Sequence, residues 1–375
     1  MKFFKTGFLM VICSLCFLAA GFKVWAAPDL YGSFYTDLTA RQYETDGGSG
    51  KLKYAGESGL RLNAKHFFNP SLKIEGSFDL ILLGGDKADI YLLMKPKEEA
   101  HSFEIDNTRI LPLFDTRKLY LSYFSDQYTF TIGRQIINYG VGTVFSPIDS
   151  FSTVDLQDIE LSRKGSDIAR IQIPLGALAG IEGVSTLDGD ASAVKIFGNL
   201  AGYDLGLTGI YKKPTEETLL GFTFKGDLVI GVHGELVEHY SSYNDRNYFE
   251  GMIGGDYSFF QGKLIILAEY YYNSQPVDPN NLVPGEAADL NRTFLGERYL
   301  FGQASYIFDE IRRVSLNTIY NINEGSRVDT LQFFYNIRQN ADLLLYTRYY
   351  TGDLNGSEVR LGPKAEYGAR VELKF

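Results

Sequence analysis

The 375-residue chain predicts an all-β fold: a transmembrane up-and-down antiparallel β-barrel of about eighteen strands, within a range of about sixteen to twenty. Three features carry that expectation. Stretches long enough to cross a bilayer as strands alternate apolar and polar side chains, the two-residue period of a pleated strand. No apolar run after Ala27 is long enough to be a membrane helix. The links between the alternating stretches fall into a tight set and a long set that take turns along the chain, as hairpins of a closed sheet must.

The first element is not part of the barrel. Residues 1–26 read as a cleaved signal peptide. Lys2 and Lys5 form its positive end, 7–22 its apolar stretch, and Val24-Trp25-Ala26 a cleavage site before Ala27. The apolar stretch is broken by Ser14 and falls short of the ~20 residues of a spanning helix. Cys13, Cys16 and the only Trp leave with it. The remaining domain, 27–375, has no thiol, so neither a disulfide nor a thiolate metal site is available. Lys plus Arg falls from 36 to 33 against 46 Asp plus Glu, a formal charge of −13. That balance argues against a nucleic-acid partner, which needs a basic footprint. The 26 Tyr and 27 Phe suit rings anchored at the two membrane interfaces.

Alternation then places strands at roughly 29–42, 52–67, 71–82, 116–124, 128–138, 167–174, 178–186, 191–199 and 203–212. It continues at 218–226, 228–239, 248–260, 263–273, 298–308, 311–322, 327–338, 341–351 and 364–375. Tight links fall at Asn69-Pro70, Ser125-Asp126, Gly176-Ala177, Ala201-Gly202, Asp227, Gln261-Gly262, Asp309-Glu310 and Gln339-Asn340. Every long link, at 83–115, 139–166, 274–297 and 352–363, belongs to the other set. Lipid cannot satisfy free backbone groups, so the sheet must close. A ring of this many strands is too wide for side chains alone to fill and predicts a wet lumen.

The last strand sets the parity. Tyr367, Ala369, Val371, Leu373 and Phe375 share one face, and Gly368, Arg370, Glu372 and Lys374 the other. A strand ending on an aromatic residue in this way resembles the C-terminal insertion signal of bacterial outer-membrane barrels. Tyr367, Val371, Leu373 and Phe375 are the candidates for that signal. Elsewhere Leu60 and Leu62 are expected to face lipid and Arg61, Asn63 and Lys65 the lumen. Arg170, Gln172, Lys195, Asp204, Glu235, Glu250, Asp256, Glu269 and Arg348 also fall on lumen parity. The lumen is therefore expected to carry both signs.

One stretch carries a motif: Gly133-Arg-Gln, then Tyr139-Gly140, then Pro147-Ile-Asp149. It resembles outer-membrane barrels of the alginate-export type and related porin-like families over about residues 117–185. Tyr139 stands where those relatives commonly have Trp. The resemblance implies a monomeric outer-membrane channel and does not fix the solute. Strand parity puts Arg134 toward lipid, where a charge costs ~2–4 kcal/mol near the midplane. A bulge at Gly133 is expected to turn it inward; otherwise the strand has left the membrane by that point. Loop 139–166 is expected to fold into the pore, with Gly140 and Gly142 giving the backbone room to turn. Arg134, Gln135, Asp149, Asp155, Asp158 and Arg170 are the constriction candidates; Asp149, Asp155, Asp158 and Glu160 read as an acidic gate, with a Ca²⁺ site through oxygen ligands and a plain solvated outer loop as the alternatives. The acidic set lacks EF-hand spacing.

The expected function is a porin-like channel in a Gram-negative outer membrane for small hydrophilic solutes or ions. The alternatives are an export conduit for an exopolysaccharide and a scaffold around a partner such as a multihaem cytochrome. The expected partners are membrane lipid, lipopolysaccharide and the barrel-assembly machinery. No cofactor or metal is expected. The chain's four histidines, His66, His101, His233 and His239, have no nucleophile motif beside them, so catalysis is not expected.

Overall fold

The computed structural model describes residues 28–43, 50–94, 103–105, 108–152, 163–227, 229–241, 246–277, 294–352 and 363–375. Residues 1–26, expected from the sequence to be a signal peptide, lie outside these. The ring opens with β1 (Asp29–Tyr43), β2 (Lys51–Asn69) and β3 (Leu72–Gly85). Helix α1 (Asp86–Met94) and the three-residue β4 (Phe103–Ile105) follow, and β4 pairs only with the start of β5 (Thr108–Phe124). The sheet continues through β6 (Thr129–Gln135), β7 (Ser166–Pro174), β8 (Gly180–Thr186), β9 (Ala191–Leu200), β10 (Tyr203–Lys212), β11 (Glu217–Asp227) and β12 (Gly231–Ser241). It returns through β13 (Arg246–Phe259), β14 (Leu264–Asn273), β15 (Arg298–Ile307), β16 (Arg312–Asn321), β17 (Arg327–Arg338), β18 (Ala341–Thr351) and β19 (Ala365–Lys374). β19 pairs antiparallel with β1 from Ser33↔Lys374 to Gln42↔Ala365, which closes eighteen strands into a barrel.

The pleat sorts the side chains as the alternation requires. Leu38, Leu62, Leu80, Leu121, Ile132, Ile171, Val194, Leu207, Leu220, Leu236, Ile253, Leu300, Leu316, Leu331, Leu345 and Val371 form an exposed apolar belt. Rings border it at both ends. Tyr123 and Tyr128, Tyr257 and Phe259, and Tyr306 and Phe308 pair at the tight-turn end, and Tyr349 meets Tyr367 at the other. Apolar side chains facing outward around a closed sheet suit a hydrocarbon surround and not water. Tyr367, Val371, Leu373 and Phe375 all point outward. The Phe375 ring lies where a Gly32 side chain would stand, while the backbones of these two residues exchange hydrogen bonds of 2.9 and 3.0 Å.

The eight tight links all fall at the end of the barrel that holds both termini, as expected. The first long link differs from expectation. β3 runs on to Gly85 and β5 begins at Thr108, so most of 83–115 is structured. Strand residues Ile81, Leu83, Leu111 and Leu113 are apolar on the inward parity as well, and helix α1 covers them with Ala88, Tyr91 and Leu92. A strand apolar on both faces shows no alternation, which hid this extension. β6 is shorter than the expected 128–138, ending at Gln135.

The expected bulge at Gly133 is also corrected. β6 keeps an unbroken register with β5 and β7 through Leu119↔Arg134 and Arg134↔Asp167. Gly133 takes φ +121° without adding a residue, a conformation open chiefly to glycine. Arg134 stays on the outward parity, one residue from the strand end. There its Nε lies 3.3 Å from Asp167 Oδ1, and its Nη1 donates to the Thr116 carbonyl at 3.3 Å. A charge at the rim escapes the midplane penalty.

Candidate functional site

The inward faces of β7 to β12 present a row of apolar side chains: Ile168, Val184, Ala193, Ile210, Leu219 and Val237. A wall of a wet tube does not need such a row. It is covered by residues 136–152, which leave β6 and fold inside the barrel. Ile137, Tyr139, Ile148 and Phe151 pack into the same cluster. Burying each such side chain stabilises the docked segment by roughly 1.5–3 kcal/mol. The fit is close: a Cβ on Gly221 of β11 would lie 1.8 Å from Ile148 Cδ1. Farther round the ring, Val144 and Phe145 enter a second cluster with Met252, Tyr271, Phe294, Tyr299 and Phe301. Phe145 meets the Phe294 ring edge-on at 4.7 Å and stacks on Tyr271 at 5.4 Å.

This segment has no regular secondary structure, so its buried N–H groups need other acceptors. Two carboxylates of the wall supply them. Glu235 of β12 accepts the N–H groups of Val141 at 2.6 Å, Gly142 at 2.9 Å and Ile148 at 3.3 Å, and the Ser146 hydroxyl at 3.2 Å. Glu269 of β14 accepts Thr143 N–H at 2.5 Å, Val144 N–H at 3.1 Å and Phe145 N–H at 3.2 Å. His233 Nε2 lies 3.1 Å from the same carboxylate. Glu235 is 0% exposed and Glu269 1%. A buried carboxylate is costly alone, and hydrogen bonds from a run of amides reduce that cost. Lys195 of β9 adds a tie, its Nζ donating to the Tyr139 carbonyl at 2.9 Å. Gly142 is needed for space: a Cβ there would lie 1.8 Å from the Phe145 carbonyl oxygen.

The constriction candidates scatter under this geometry. Asp149 lies in the segment but faces its own backbone. Its Oδ1 accepts Tyr139 N–H at 2.7 Å and Gly140 N–H at 2.9 Å, and its Oδ2 accepts Arg163 Nη1 at 2.5 Å. Its side chain is only 3% exposed. Gln135 is buried in the wall with its amide toward the Ile168 carbonyl at 3.5 Å. Arg170 faces inward and pairs with Glu182 at 2.6 Å. Arg134 faces outward, so it does not oppose Asp149 across the lumen. Asp155, Asp158 and Glu160 lie outside the described residues. The segment's exposed side chains are Asn138 and Thr143, both neutral.

Glu235 and Glu269 were legible as lumen-facing and not as anchors. The available signal was the apolar inward row on β7 to β12, which requires a cover. Elsewhere several inward charges pair locally. Arg61 grips Asp79 with two hydrogen bonds of 2.8 and 2.9 Å. Asp37 accepts the Tyr346 hydroxyl at 3.0 Å and Arg370 Nη2 at 3.1 Å across the β1–β19 seam.

No protein-family description and no curated protein sequence matches the chain. Solved structures do. OccAB1 of Acinetobacter baumannii superposes with a TM-score of 0.57 at 10% identity, covering 95% of this chain and 98% of that one. OccK7 (OpdD) of Pseudomonas aeruginosa gives 0.56 at 9% identity, covering 94% and 99%. OccAB4 of A. baumannii gives 0.56 at 9%, covering 93% and 98%. At such identity the likeness is one of fold, and the fold is that of outer-membrane porin barrels.

Proposed function

We propose that the protein is a Gram-negative outer-membrane channel for small hydrophilic solutes or ions, narrowed by segment 136–152. The observation that carries this reading is the double anchoring of that segment by Glu235 and Glu269. A loop held inside a barrel by buried carboxylates reduces the free cross-section without closing the ring. The neutral edge at Asn138 and Thr143 favours passage governed by size and hydrogen bonding over a charged filter at this segment. Paired charges of both signs on the rest of the wall do not favour export of an acidic polymer. The motif over 133–149 supports a likeness to the alginate-export type through its glycines and Asp149, all used in shaping this segment.

Conductance in planar bilayers tests the reading. The parent should give discrete steps. Glu235→Ala removes the acceptor of Val141, Gly142 and Ile148, and each orphaned N–H costs about 1–3 kcal/mol. The segment should then leave the wall, giving larger and noisier steps. A parent protein that inserts but passes no current rejects the channel.

A further inference from the structure

The other side of the ring carries its own inward element. We propose that helix α1 is a second wall of the passage, held inside the outer mouth by Asp86 and Lys87 as a two-charge key. The proposal rests on the channel reading above.

At the end of β3, Gly85 takes φ +61° and turns the chain out of the sheet; a Cβ there would lie 2.5 Å from the Tyr54 carbonyl oxygen. The next two residues dock at once. The Asp86 carboxylate accepts Lys53 Nζ at 2.7 Å, Arg41 Nη1 at 3.4 Å and the Tyr43 hydroxyl. Lys87 Nζ donates to Glu57 at 2.9 Å and lies 3.8 Å from Asp37 Oδ2. All five partners sit on the inward parity of β1 and β2. Asp37 is six residues below Tyr43, about 20 Å along the strand. Lys87 therefore reaches the middle of the barrel wall, and the helix lies within the lumen.

The apolar side of the helix agrees with this direction. Ala88 is fully buried, packed on Leu83 and Leu111 of β3 and β5. The helix is about 13 Å long, enough to cover two or three strands at ~4.8 Å spacing. Its position on β1 to β5 is complementary to the inner segment, which lies on β7 to β15. The key has polarity. An acid and a base at adjacent positions meet partners of the opposite sign at different depths, so a shifted docking puts like charges together.

The test uses the full chain without residues 1–26, which has no native cysteine. Ala88→Cys places one thiol beneath the helix, and a membrane-impermeant maleimide reads its protection in reconstituted vesicles. The Ala88→Cys protein with Lys87 intact should label slowly. Adding Lys87→Glu should speed labelling at least about tenfold and raise single-channel conductance about 1.5-fold or more. Lys87→Gln serves if the reversed charge prevents assembly, with heat-dependent gel mobility reporting the folded fraction. The proposal is overturned if the thiol reacts with Lys87 intact as fast as one introduced by Asp188→Cys at an exposed turn. It is also overturned if both Lys87 variants leave labelling and conductance unchanged. A parent that does not conduct rejects the channel reading, while the labelling rates still decide whether the helix is docked.

Discussion

Single residues divide here into those that hold the inner segment and those that face water. Asp149 has the charge of a filter residue but the contacts of a staple, since its carboxylate is spent on Tyr139, Gly140 and Arg163. Asn138 and Thr143 are neutral but exposed. Charge acts on a permeant ion through exposed groups, because buried and paired groups are already neutralised locally. Asn138→Asp or Thr143→Asp should shift the reversal potential in a salt gradient toward cation selectivity. Asp149→Asn should leave the reversal potential near the parent's and increase current noise, because it loosens the Arg163 tie. A strong anion shift in Asp149→Asn would place that carboxylate at the water after all.

Among the elements, helix α1 shows how a local charge pair depends on pH. Asp86 lies outside the strands. Burial raises its carboxyl, but hydrogen bonds from Lys53 and Tyr43 and the charges of Lys53 and Arg41 outweigh this and hold it below the ordinary aspartate value. A carboxylate depressed in the folded form stabilises that form above its unfolded value, near 4, and loses the contribution as pH falls through the folded value. Protection of the thiol in the Ala88→Cys protein should therefore be flat from about pH 8 to 5 and decline only below about 4. Decline between pH 7 and 5 would point to another titrating group. The helix was not legible in the sequence, because the unbroken apolar run from Ile90 to Met94 hides the stripe of Ala88, Tyr91 and Leu92 that packs on the strands. Strand identity in the neighbouring hairpins was legible, because there one face meets lipid and the other water.

The whole molecule is an ordered ring whose two ends differ. Tight links gather at the end with both termini, and longer links at the other. In an outer membrane the tight end faces the periplasm. An epitope inserted at Pro214-Thr215, between β10 and β11, should be reached by antibody on intact cells. The same epitope at Ala201-Gly202, between β9 and β10, should be reached only after permeabilisation. The reverse pattern would invert the barrel. Both sites lie in turns, so insertion leaves the ladders of β9 to β11 intact.

The number of strands, their order and the outward face follow from the sequence, because they depend on a two-residue period and on link length. The same holds for the terminal strand, whose parity is printed over its last residues. What the lumen contains does not follow. Glu235 and Glu269 read as two more inward acids until residues 141–148, far away in the chain, bring their N–H groups to them. Asp149 reads as a gate until its own loop closes around it. Arg134 reads as a lumen group only if a bulge is assumed, and an unbroken register with a rim partner serves instead. Strand pairing is set by short-range pattern. The filling of a barrel is set by which distant backbone groups find a buried acceptor, and only the closed ring brings those together.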